Sequence, residues 1–145
     1  SSLLLKEIHL EKESAAYNAC QLLLNDKKVL FRTAKVTPTK IGQFVTLWKR
    51  IENGTIAPFD TTDAIDMVII ETKTSSDSGI FVFPASILFE QAIFSTAKKE
   101  GKRAFRVYPP WDKTISKQAQ KSQQWQLNYF VNLADLNSDK IYLPV

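Results

Sequence analysis

One cysteine, one histidine and four glycines in 145 residues are shortages that each exclude a class of function. A single cysteine forbids an internal disulfide, and with one His beside it there is no set of ligands for zinc. Cys20 alternates with Leu22 and Leu24 along a strand-like stretch, which reads as a small buried hydrophobe rather than a reactive thiol. His9 lies between Glu7 and Glu11 on the polar side of an alternating segment and is expected to face solvent, with no sequence neighbour that would complete a triad. So few glycines leave no GxGxxG or Walker loop, and no GxSxG elbow is present. No apolar run approaches the roughly 20 residues that span a bilayer. The opening Ser-Ser-Leu-Leu-Leu also lacks the basic start and small-residue cleavage site of a signal peptide. A cytoplasmic protein without a membrane partner is the expectation, and the absent initiator Met leaves room for a preceding piece or tag.

What is present is ordinary globular material: 44% hydrophobic and 23% charged residues, enough for one core in a single domain over 1–145. The chain centres on Asp63 to Phe83. Met67-Val68-Ile69-Ile70 has no polar face, so it predicts a central strand covered on both sides. Ser75-Ser76-Asp77-Ser78-Gly79 then supplies a turn, and Ile80-Phe81-Val82-Phe83 returns as an antiparallel neighbour.

Before this centre, alternation predicts strands over Leu4–Leu10, Tyr17–Leu24 and Val29–Val36, with Asn25 to Lys28 as a hairpin turn. The first should bury Leu4, Ile8 and Leu10. Arg32 falls on the side of Leu30, Ala34 and Val36, so it leans inward and requires a carboxylate or an anionic ligand. Thr37-Pro38-Thr39-Lys40 has the form of a helix start, and Ile41, Phe44, Val45, Trp48 and Ile51 form a stripe that predicts a helix to about Ile51. Its amino end, with Lys40 and Gln43 nearby, would have the ingredients of an anion site.

After the centre, Pro84 predicts a helix to about Thr96, Ala104 to Tyr108 a strand, and Lys113 to Asn128 a long helix. Arg106 and Tyr108 share one strand face. On the helix, Gln118, Ser122 and Gln126 fall on the packing side and must be bonded to protein, water or ligand. A last strand is expected at Ile141 to Leu143.

The net charge of +4 is concentrated. Lys98 to Lys121 holds eight basic residues against Glu100 and Asp112, whereas the remainder holds eleven basic and thirteen acidic residues. A basic cleft for an anionic partner, nucleic acid or an anionic small molecule, is the functional lean. Aromatic residues in and near the segment, Trp111 and Trp125 among them, could stack on bases; Trp111 is expected in a loop held by two prolines. One spacing has a catalytic form. Asp60 of Pro58-Phe59-Asp60, or Asp66, followed by Glu71-Thr72-Lys73 approximates the PD-(D/E)xK nuclease set, in which two acids hold a divalent metal such as magnesium and the lysine steadies the attacking water. Its acid-x-Lys belongs on the following strand, where this chain has Phe81-Val82-Phe83. No catalytic residue and no cofactor are therefore assigned, and magnesium enters only with the nuclease alternative.

Several stretches together resemble the MepB family: Arg32 to Trp48 (RTAKVTPTKIGQFVTLW), Asp66 to Ile70 (DMVII), Phe81 to Pro84 (FVFP), Arg106 to Asp112 (RVYPPWD) and Gln123 to Phe130 (QQWQLNYF). The resemblance covers nearly the whole chain. It implies a restriction-endonuclease-like α/β fold and places Asp66 as counterpart of the nuclease strand carboxylate, without implying an activity. The expected architecture is a mixed, mostly antiparallel sheet with helices packed on it. The expected ligand-binding residues are Arg32, Lys40, Gln43, Asp66, Arg106, Tyr108, Trp111, Gln118, Lys121, Trp125 and Gln126. A regulatory domain that binds a protein or small molecule is the remaining alternative.

Overall fold

In the computed structural model, which describes residues 5–135, the central hairpin is the middle of a six-stranded sheet. Strands β1 (Leu5–Leu10), β2 (Cys20–Leu24) and β3 (Lys27–Thr33) form an antiparallel meander. The β2–β3 turn is made by Asn25 and Asp26 alone, both at positive φ, the conformation a two-residue hairpin requires. Sequence beyond β3 forms β4 (Lys35–Val36), β5 (Gln43–Thr46), β6 (Lys49–Arg50) and β7 (Ile56–Ala57). The chain then returns as β8 (Met67–Lys73), parallel to β3, and turns into β9 (Ser78–Pro84), antiparallel to β8.

After β9 come α1 (Ala85–Glu90), β10 (Ala104–Val107), α2 (Lys117–Gln126) and β11 (Phe130–Asn132). The large sheet runs β1-β2-β3-β8-β9-β11; β10-β5-β4 make a second sheet, and β6-β7 a short ribbon. Apart from β3 with β8, every strand pairing is antiparallel. The result is a mixed α/β protein with a mostly antiparallel sheet.

Period-two alternation decides where the core sits. Leu30, Val68, Ile70, Phe81 and Phe83 project from one face of the large sheet and join Val45, Leu47, Phe105 and Val107 of the second sheet, with Ile87, Leu88, Ile93 and Phe94 from around α1. Trp125 and Tyr129 close this core at the carboxyl end of α2, with their rings 5.4 and 5.9 Å from Phe83. Val29, Met67 and Val82 are buried on the opposite face.

Four expectations are corrected. The helix over residues 38–51 is absent: Gly42 sits at φ +87°, and the chain continues as β5, burying Gln43, Val45 and Leu47 at alternate positions. The helix from Pro84 stops at Glu90, and Ala92 turns left-handed at φ +57°, which directs Ile93 and Phe94 into the core. The third helix starts at Lys117, where the Ser116 hydroxyl caps it by accepting from Ala119 N at 3.1 Å. On β1, Ile8 is 55% and Leu10 84% exposed, because this is an edge strand and their face is left uncovered there. Leu4 and the strand expected at Ile141 to Leu143 lie outside the described residues. His9 is exposed, as expected. Cys20 is half-buried, and burial, reinforced by the field of Glu11, pushes its thiol above the ordinary range, which disfavours the reactive thiolate.

Candidate functional site

Strand β10 has β5 on one side, in the register Val107 to Gln43 and Arg106 to Phe44. Its other side faces α2 rather than another strand. There Gln126, 1% exposed, substitutes for one: its Oε1 accepts from Tyr108 N at 2.8 Å and its Nε2 donates to Arg106 O at 3.0 Å. A carboxamide has one acceptor and one donor side by side, the pattern a neighbouring strand would present. Gln123 performs a similar task on the following loop, with Nε2 donating to Pro109 O at 2.9 Å and Asp112 O at 2.8 Å while Oε1 accepts from the Thr114 hydroxyl at 3.0 Å.

These bonds hold α2 away from β10 at its amino end and leave a cavity of about 280 Å³. Lys102, Phe105, Arg106 and Tyr108 form one wall; Ser116, Gln118, Ala119, Ser122, Trp125 and Gln126 form the other, with Gln91 and Ile93 at the base. Among the described residues two cations line it and no carboxylate does. The Arg106 guanidinium is fixed without an acidic partner among the described residues: Nη2 donates to the Thr37 hydroxyl at 2.6 Å, Nη1 donates to Gly42 O at 3.2 Å and Ile41 O at 3.3 Å, and the group lies over the Phe44 ring. Neutral acceptors orient the charge without cancelling it. Lys102 is exposed and forms no ion pair among the described residues.

Of the residues proposed from sequence, Arg106, Tyr108, Gln118, Trp125 and Gln126 meet in this cavity. Gln118 is exposed and Ser122 half-buried, so both face the opening rather than requiring a buried partner; only Gln126 is buried and bonded as the helical pattern demanded. Lys121 is exposed on α2 but does not line the cavity, and Lys40 is exposed in the bends before Gly42, where no helix end exists to form an anion site. Trp111 is half-buried instead of open in its loop, with its ring edge-on to Phe130 at 5.7 Å and its indole nitrogen buried without a hydrogen-bond partner among the described residues. Gln43 is 1% exposed inside the core, and neither end of its amide has a hydrogen-bond partner among the described residues. Gln91, Lys102, Ser116 and Ser122 were not among the residues proposed. Lys102 gave only a charge signal, Ser122 a polar position on a packing face, and Gln91 and Ser116 gave none, because a turn and a helix cap bring them there.

Arg32 is elsewhere. It leans inward from β3 as its alternation required and meets a carboxylate, Glu11 Oε2, at 2.7 Å. Asp66 lies just before β8 with Oδ2 accepting from Lys28 N at 2.9 Å, and Glu71 accepts from the Thr33 hydroxyl at 3.1 Å. Five residues of extended chain separate these acids by roughly 16 Å, several times the length of a metal–oxygen bond. Lys73 shares the face of Glu71 and is exposed. Among the described residues no group of three His, Cys, Asp or Glu side chains is placed to hold a metal ion, and no helix is long and apolar enough to cross a membrane.

The geometry thus defines a mixed α/β protein whose second sheet and last helix enclose a cation-lined cavity. Residues 11–132 match the MepB-like family model, and the chain belongs to that family. It is also similar to a solved structure, the crystal structure of MepB, with 36% sequence identity, a TM-score of 0.87 and coverage of 91% of this chain and 89% of that one. Among curated proteins none matches the sequence.

Proposed function

We propose that this MepB-like protein is a non-catalytic module that binds an anionic ligand, nucleic acid or a nucleotide, at a basic cleft between β10 and α2. The observation that supports this most is the cavity lining: Lys102 and Arg106, uncharged polar side chains, an aromatic wall of Tyr108 and Trp125, and no acid among the described residues. Cations orient a phosphate and aromatic faces accept a base. The amino end of α2, capped by Ser116, borders the same cavity and adds its dipole to the field that attracts an anion. Outside the cavity Lys113, Lys117 and Lys121 are exposed and carry the positive surface along α2, where a strand longer than the cavity would run. The restriction-endonuclease-like fold is part of the same reading, without its nuclease chemistry, because Asp66 just before β8 and Glu71 within it lie too far apart to share one metal. A cytoplasmic location accords with this class of ligand.

The test is a salt titration of fluorescent single- and double-stranded oligonucleotide binding, with nucleotides as competitors. For binding through phosphates, the logarithm of affinity falls linearly with the logarithm of salt concentration, and Lys102→Gln lowers the slope by about 1. Magnesium and manganese arms are expected to leave the oligonucleotide uncut. Undetectable binding at low salt to every nucleic acid and nucleotide would overturn the reading. Manganese-dependent nicking lost in both Asp66→Asn and Glu71→Gln would replace it with the nuclease.

A further inference from the structure

The most deeply buried charge in the described chain is not in the β10–α2 cavity. Arg32 is 1% exposed, and its guanidinium is only half used: Nη1 donates to Glu11 Oε2 at 2.7 Å and to Phe31 O at 2.9 Å, while Nε has no hydrogen-bond partner. Nη2 likewise makes no hydrogen bond among the described residues. Nε and Nη2 form one edge of the planar fork, spaced to meet the two oxygens of a carboxylate or phosphate. A buried cation with an idle edge is an unfavourable arrangement unless something completes it. Burial pulls the Arg32 pKa down, opposed by Glu11, so the single carboxylate does not fully offset the lost hydration.

The side chain lines a second cavity, of about 380 Å³, together with Glu11, Lys12, Glu13, Gln21, Trp48 and neighbours. The charges around it are unequally committed. Glu13 is held by Arg50 Nε at 2.6 Å, and Lys49 is held by Asp60 and Asp63 at 3.1 and 2.8 Å. Lys12 is exposed and unpaired among the described residues, and the Gln21 amide is on the same side of the sheet as Arg32 without a partner of its own. The donors left over are therefore one guanidinium edge, one ammonium and one carboxamide. Trp48, with Arg50 over its ring at 5.6 Å, supplies an apolar wall.

We propose that this cavity is a separate binding site for a small molecule bearing a carboxylate or phosphate, with the oxyanion on the unbonded Nη2 of Arg32 and its charge shared with Lys12. Glu11 is a positioning residue: it occupies Nη1 and leaves Nη2 for the ligand. The site is independent of the β10–α2 cavity, which has its own cations.

The test follows the arginine Nε–H resonances by NMR as inorganic phosphate or benzoate is added, with sodium chloride at matched ionic strength as control. The Arg32 resonance is assigned by its loss in Arg32→Lys or, if that variant does not fold, by elimination after Arg50→Lys, Arg103→Lys and Arg106→Lys assign the other three. Lys12→Gln and Gln21→Leu leave the buried ion pair intact and serve as binding variants. The expected result is a saturable shift of the Arg32 signal with phosphate, benzoate or both, weakened several-fold in the Lys12→Gln, Gln21→Leu double variant. An Arg32 signal that ignores both anions, or that responds equally to chloride, would overturn the proposal. The Arg106 resonance reports on the other cavity in the same spectra, so failure at one site is distinguishable from failure at the other.

Discussion

Replacing Gln126 by Leu is expected to damage the fold by stranding two backbone groups at the end of β10. The substitution keeps the volume and apolar stem but deletes the acceptor for Tyr108 N and the donor for Arg106 O. The side chain is 1% exposed, so a leucine in its place also bars water from the two stranded backbone groups. Each such group costs about 1–3 kcal/mol. Taking the lower half of that range, because both bonds are only part-buried, gives a loss of about 2–4 kcal/mol. At roughly 2–4 °C per kcal/mol for a chain of this size, the melting temperature should fall by about 4–16 °C. Gln126→Glu should be worse than Leu, since it places a second acceptor against Arg106 O and a charge where none is solvated. Gln124→Leu, two residues away on the exposed side of the helix, is the control and should change stability by no more than about 0.5 kcal/mol. The assay is urea unfolding followed by tryptophan fluorescence, which Trp125 reports directly. If Gln126→Leu matches the control, the idea that a carboxamide substitutes for a missing strand is wrong.

Gly42→Ala should destabilise by at least about 2 kcal/mol, since the residue is at φ +87° and a Cβ would sit 2.6 Å from the Tyr108 ring; a thermal melt measures it, and an unchanged midpoint would refute the packing argument. Hydrogen bonding from Thr62, with that from Lys49, holds the Asp60 carboxyl below its ordinary range, against a smaller opposing effect of burial. A depressed carboxylate contributes stability above its unfolded pKa and loses it as pH falls through the lower folded value, so the acid limb of the stability curve should flatten in Asp60→Asn. Replacing Lys117 and Lys121 together by Gln should lower the salt slope of oligonucleotide binding by up to about 2 with an unchanged melting temperature, because both are exposed on α2; an unchanged slope would remove this surface from the interface.

The central strands were legible because nothing competes with their pattern. Met67 to Ile70 is apolar on both faces, the Ser75 to Gly79 turn follows at once, and β8 and β9 pair as read. The stretch from Ile41 to Ile51 was not, for a specific reason. Its inward positions are Gln43, Val45 and Leu47, and a glutamine at the first of them hides the alternation, leaving the stripe Ile41, Phe44, Val45 and Trp48 to imitate a helix. In the same way the end of α1 is marked by Ala92 in a left-handed conformation, where a glycine would have announced it. Arg106, Tyr108, Trp125 and Gln126 could be grouped from sequence because local periods place them. Lys102 and Gln91 join them only through tertiary packing, which no local period encodes.

The stretches that carry the family resemblance have a structural job besides lining the cavity. In RVYPPWD, backbone groups of Arg106, Tyr108, Pro109 and Asp112 are what Gln123 and Gln126 of QQWQLNYF hold, while Trp111 packs on Phe130 and Trp125 on Phe83. The two motifs are halves of one joint, and the joint sets the distance between β10 and α2. Lys102, Gln118 and Ser122, which face the cavity, lie outside both motifs. The signature therefore identifies the walls of the cavity and their spacing. Its chemistry comes partly from Arg106, Tyr108 and Trp125 within the motifs and partly from neighbouring positions, Lys102 above all, that can change without disturbing the joint. A relative that keeps both glutamines but replaces Lys102 with an acid should fold in the same way and lose its preference for anions, and Lys102→Glu here is the direct check, since an unchanged melt with abolished oligonucleotide binding is expected and retained binding would separate the ligand from this cavity.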